Sequence, residues 1–162
     1  MTAPPEKLLA IYLNDHLAGA TVGVELVRRV RGAAAGDGAG TIARLCAEIE
    51  ADKATLERVM EELGVDRERL KPAAAWLAEK LGRLKPNGQL RGSSPLSRVV
   101  EMEGLYLGVT GKMQLWKTLE RTAGNRLPDV DFAQLAERAA GQREAIDELH
   151  REAAREALPT SP

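Results

Sequence analysis

Two histidines, one cysteine and a set of carboxylates are the side chains in this sequence whose chemistry could hold a metal ion or move a proton. The segment Glu48-Ile49-Glu50-Ala51-Asp52 offers carboxylates without a histidine, whereas Asp147-Glu148-Leu149-His150 offers a carboxylate and an imidazole in a D-x-x-H spacing. Cys46 stands alone, so neither an intrachain disulfide nor a thiolate metal cluster can form, and a small buried core residue is expected there. No Ser/His/Asp or Cys/His arrangement supports nucleophilic catalysis. Lys80, Arg83, Lys85, Arg91 and Arg98 form a basic run with no acidic residue between Lys80 and Val100. The run lacks interleaved aromatics and a glycine-rich phosphate loop, so it reads as a solvated connection, and nucleic acid is not expected as a partner.

Composition bounds what can surround these residues. A chain of 162 residues suits one domain, 1–162, and folding at this size buries roughly 70% of the surface that the unfolded chain exposes. Lys and Arg total 23 against 24 Asp and Glu, so no global field draws the protein to polyanions or to an anionic membrane. Met1 to Glu6 lacks a basic segment followed by an apolar one, and no apolar run approaches the ~20 residues that span a bilayer. A cytoplasmic protein without membrane partners is expected.

The elements that must position the candidates are helices. Leu8, Ile11, Tyr12, Asp15, Ala18, Val22, Leu26 and Arg29 recur at helical spacing and predict a first helix over 6–31. Gly32 to Gly40 carries no periodicity and reads as a connection. A second helix over 41–63 starts at a Thr41 cap, has a stripe through Ile42, Leu45, Ile49, Leu56 and Val59, and ends at Gly64. The segment 64–93 exceeds the ~2 to 8 residues usual between bundle helices. Trp76, Leu77, Leu81 and Leu84 predict a short helix over 72–84 within it, followed by a turn at Asn87-Gly88. Ser94-Pro95 opens a third helix over 95–122, and Asp131 with Gln134 opens a fourth over 131–158. No strand candidate competes.

The third helix repeats the first at an offset of 89, with Gly19 on Gly108, Thr21 on Thr110, Leu26 on Leu115 and Arg28 on Lys117. The fourth repeats the second at an offset of 90, with Thr41 on Asp131, Leu45 on Leu135, Lys53 on Arg143 and Leu56 on Ile146. Two duplicated hairpins joined by a long crossover resemble the ferritin-like superfamily. The resemblance implies an all-α four-helix bundle whose second and third helices run parallel and whose first and third are antiparallel neighbours. Gly19 and Gly23 in the first helix and Gly104, Gly108 and Gly111 in the third each cost about 1 kcal/mol of helix propensity. Close approach of the two backbones would offset that cost, so these five glycines are expected to form a tight seam.

The resemblance also implies a di-iron site built from one Glu on each of two helices and a Glu-x-x-His on each of the others. This sequence departs from that set. The second helix has no histidine, and the repeat aligns Glu25 with Gln114, Glu103 with Asn14, Glu48 with Arg138 and Asp52 with Gln142, so no carboxylate pair survives. At ~1.5 Å per residue, Glu25, Glu103 and His150 share one height, with Glu48 and Asp147 within a turn. These five are the residues for an iron or manganese site. Against it, Asp15, Lys53, Glu103 and Arg143 fall on or beside apolar stripes and are expected to form a buried charge network in which Glu103 pairs with Arg143. The expected function is that of a non-catalytic bundle acting through protein interaction, as a homo-oligomer, with no cofactor. The alternative is a metal-binding protein or oxidoreductase using the reduced carboxylate and histidine set.

Overall fold

The structure, a computed structural model, describes residues 4–67 and 94–158. The 72–84 helix and nearly all of the 64–93 crossover lie outside the described residues.

Helix α1, Pro5–Gly32, begins on a proline, whose missing N–H would have had no partner in the first turn, and ends with Arg29 and Arg31 where cations suit the helix dipole. Helix α2, Ala39–Glu62, starts two residues before Thr41: Gly38 holds the cap position, without a side-chain hydrogen bond, and its carbonyl accepts from Ile42 N at 3.0 Å. The expected Thr41 cap is therefore corrected, because the chain already turns into the helix at Gly36, at φ 74°. Gly64, at φ 68°, ends the helix while Val65 N reaches back to Met60 O at 2.9 Å.

Helix α3, Pro95–Ala123, follows Ser94 and ends in a tight turn, Gly124–Arg126. Helix α4, Phe132–Ala157, is capped by Asp131, whose Oδ1 accepts from Gln134 N at 2.8 Å. Among the described residues there is no strand, and no helix is long and apolar enough to cross a membrane.

The four helices form an all-α bundle in which α1 packs on α2 and α3, and α4 packs on α3 and α2, the α3/α4 contact being the most extensive. Paired residues give the directions. Arg29 meets Glu101 while Gly104 faces Leu26, so α1 and α3 are antiparallel. Gly38 faces Leu149 while Asp52 meets Arg138, so α2 and α4 are antiparallel. Arg28 with Glu50 and Asn14 with Asp66 set α1 against α2, and Tyr106 with Arg143 and Trp116 with Phe132 set α3 against α4. Consequently α2 and α3 run parallel, and α1 and α3 are neighbours; a bundle with simple up-down-up-down connections would place α1 and α3 on a diagonal. Leu13, Ile42, Leu45, Met60, Met102, Trp116, Leu119 and Ile146 are the large side chains at the centre, and Cys46 is fully buried among them.

Candidate functional site

The five mid-helix glycines do not close a seam. An ideal Cβ built on Gly19, Gly23, Gly108 or Gly111 meets nothing within 4 Å, and at Gly104 alone does it meet a neighbour, Leu26 Cδ2 at 3.2 Å. All five instead line a cavity of about 280 Å³ between α1, α2 and α3. The expectation of close backbone packing is corrected here. Leu26 on α1 and Leu105 and Leu115 on α3 are buried among the glycines, and side chains of that size keep the backbones from closing on the missing Cβ atoms. The hydroxyls of Thr21 and Thr110 donate to the Leu17 and Tyr106 carbonyls of their own helices, at 2.9 and 2.8 Å.

Most of the cavity wall is apolar, and its inner end is charged. Asp52 of α2, 1% exposed, and Lys112 of α3, 14% exposed, both line it and form an ion pair. Asp52 Oδ1 also accepts from Arg138 of α4, and Oδ2 from Gln142 Nε2 at 3.1 Å. Lys112 Nζ donates to Gln142 Oε1 as well, and Gln142 Nε2 reaches Glu48 Oε2 at 3.1 Å. Burial pushes the Lys112 ammonium below its ordinary range, against the attraction of Asp52. At the α1 margin, burial holds the His16 imidazole below its ordinary value, with Asp15 opposing, and His16 stands edge-on to Tyr12 at 4.6 Å between ring centres. Two buried donors, Trp116 Nε1 and Arg138 Nε, have no hydrogen-bond partner among the described residues.

The charge network expected at Asp15, Lys53, Glu103 and Arg143 does not assemble. Lys53 turns to Glu57 at 2.6 Å, Arg143 stacks 5.9 Å over the Tyr106 ring, Glu103 faces His150, and Asp15 is exposed. The buried cluster is built one position earlier on both α2 and α4, from Asp52 and Gln142. Of the residues considered for iron or manganese, Glu103 and His150 meet at 3.3 Å on a half-exposed surface. Glu25 borders a separate surface groove with Arg28 and Glu50, Glu48 pairs with Arg44 at 3.0 Å, and Asp147 pairs with Arg151 at 3.0 Å. Among the described residues no group of three His, Cys, Asp or Glu side chains could hold a metal ion. The donor set does not fit a di-metal centre: of the buried carboxylates among the described residues, Asp52 has both oxygens committed to Lys112, Arg138 and Gln142, and Glu101 pairs with Arg29 at 2.8 Å.

Comparison with protein families, with characterised proteins and with solved structures finds no match to this chain.

Proposed function

We propose that this protein is a non-catalytic, ferritin-like helical bundle, cytoplasmic and built from two duplicated hairpins, that binds a small and largely apolar molecule in the cavity between α1, α2 and α3. Support for the fold assignment comes from the parallel α2 and α3 and the antiparallel α1/α3 neighbours. An ammonium and a guanidinium, Lys112 and Arg138, compensate the interior carboxylate where a ferritin-like relative would use metal ions.

One observation carries the ligand reading. Gly19, Gly23, Gly108 and Gly111 each cost about 1 kcal/mol relative to alanine within a helix, yet a Cβ at any of them would meet no atom within 4 Å. Gly19 and Gly108 are exposed and Gly23 and Gly111 half-buried, so what these glycines supply is an opening along α1 and α3 rather than packing. Bundle interiors with apolar walls and few polar groups are common sites for small molecules, and a cavity of about 150 Å³ already holds benzene. This one, at about 280 Å³, has room for one or two rings.

Thermal unfolding of the full chain with 1-methylnaphthalene tests the reading. A saturable rise in melting temperature is expected for the wild type, because a ligand that binds the folded state alone stabilises it. In Gly108→Leu, which puts a side chain into the cavity, the rise is expected to vanish. No rise in the wild type, or an equal rise in the variant, would overturn the proposal.

A second reading, contact with another protein or a second copy, is favoured by Leu107, which lines the cavity at 72% exposure beside Tyr106. Light scattering on a size-exclusion column tests the dimer. A monomer at high concentration rules it out.

A further inference from the structure

We infer that the cavity selects a small aromatic or alicyclic carboxylate, with Lys112 as the residue that reads the anionic group. This inference rests on the ligand-binding reading above and adds the chemical class of the ligand.

Of the two lysines on the cavity wall, Lys112 is the more buried, 14% exposed against 25% for Lys53, and it keeps a donor to spare. An ammonium has three N–H donors; Nζ of Lys112 gives one to Asp52 Oδ2 and one to Gln142 Oε1, and the third has no partner among the described residues. Asp52 divides its charge between Lys112 and Arg138, and Glu48, the other carboxylate acting on this ammonium, also pairs with Arg44 at 3.0 Å. Lys53, the other lysine on the wall, gives one N–H to Glu57 at 2.6 Å and lies nearer solvent, where water competes with a ligand for its remaining donors. Burial lowers the His16 pKa, and Asp15, its neighbour at the α1 margin, is exposed. An anion entering between α1 and α3 passes Asp15 and His16 at the margin, then apolar surface, and meets the Lys112 ammonium beyond it. A charge-assisted hydrogen bond to a buried ammonium is roughly twice as strong as a neutral one. A ligand cation finds Asp52 with both oxygens engaged, and the other carboxylate on the wall, Asp15, stands at the solvent-exposed margin.

The walls set the rest of the ligand. Five glycines leave bare helix backbone facing the space, with Ile49, Leu56, Val109 and Leu115 around them. Bare backbone lets a flat ring lie close, and the aliphatic residues complete an apolar sleeve for one or two rings.

Isothermal titration of the full chain with three bicyclic probes tests this: 1-naphthoate, 1-methylnaphthalene and 1-naphthylmethylamine. The expected order puts naphthoate about tenfold or more ahead of the hydrocarbon, the gain of one hydrogen bond to a charged group, with the amine weakest. In Lys112→Met the preference for naphthoate is expected to disappear while the hydrocarbon still binds. Should that variant fail to fold with Asp52 left short of a partner, Lys112→Met combined with Asp52→Asn removes both charges together and is expected to give the same loss of preference. Equal binding of hydrocarbon and naphthoate, tighter binding of the amine, or a preference that survives removal of the ammonium would overturn this inference and leave the cavity a ligand site. Failure of all three probes to bind would overturn the ligand-binding reading, and this inference with it.

Discussion

Helix α3 has two neighbours, and it meets them in opposite ways. Toward α4 it presents large buried side chains, with Trp116 set 6.2 Å from Phe132 between ring centres and Leu119 fully buried, in the most extensive contact of the bundle. Toward α1 it presents Gly104, Gly108 and Gly111, and a cavity stands where side chains would otherwise be. One helix thus carries a face optimised for cohesion and a face with helix propensity set aside. The difference teaches that one helix can close against one neighbour with large side chains and stay open toward another through glycines.

Substitutions can break or sharpen that contrast. The largest effect is expected where the two sides meet: Asp52→Ala leaves Lys112 and Arg138 without their shared carboxylate and should cost about 3 to 5 kcal/mol in urea unfolding. On the cohesive side, Ile146→Ala removes a fully buried side chain of α4 and should cost about 2 to 5 kcal/mol by the same measurement. On the open side the sign reverses. Gly108→Ala and Gly23→Ala should each stabilise the chain by up to about 1 kcal/mol, because the new methyl meets nothing and the helix gains propensity. A loss of stability at both positions would mean that the glycines are structural. Gly104→Ala is the control: its Cβ meets Leu26 Cδ2 at 3.2 Å, so its gain should fall below that of Gly108→Ala.

The smallest effect is a pH dependence at the cavity margin. Burial lowers the His16 pKa from 6.5, so between the folded-state value and 6.5 the unfolded chain binds a proton that the folded chain refuses. Stability should rise with pH across that window and be lost as pH falls through it. Urea titrations at several pH values should show the slope in the wild type and a weaker one in His16→Asn.

Helical periodicity and terminal signals made the four-helix fold legible. Pro95 after Ser94, Asp131 before Gln134, and Gly64 in the left-handed conformation all stand at the helix ends where local chemistry puts them. The buried cluster was less legible, for a reason of phase. Between Ile49 and Leu56, positions 52 and 53 fit the three-and-four spacing equally well, and so do 142 and 143 between Ala139 and Ile146. Periodicity cannot choose between them. Side-chain length decides: Lys53 is long enough to turn outward to Glu57, whereas Asp52 is short and stays inside. Lys112 did carry a signal, since it continues the buried series Leu105, Val109 and Trp116 at helical spacing, but the glycines around it blurred the stripe.

The open side of α1 bears on how the native state breathes. Backbone amides exchange with solvent through local openings whose free energies follow how tightly each segment is packed. With α3 and α4 sharing the most extensive contact and the smaller α1/α3 contact opened by the cavity, α1 should detach in a partial opening while the second hairpin stays protected. Amide deuteration would then appear first at Gly19 to Gly23 and last around Trp116 and Leu119, and a molecule seated in the cavity would slow the first group selectively.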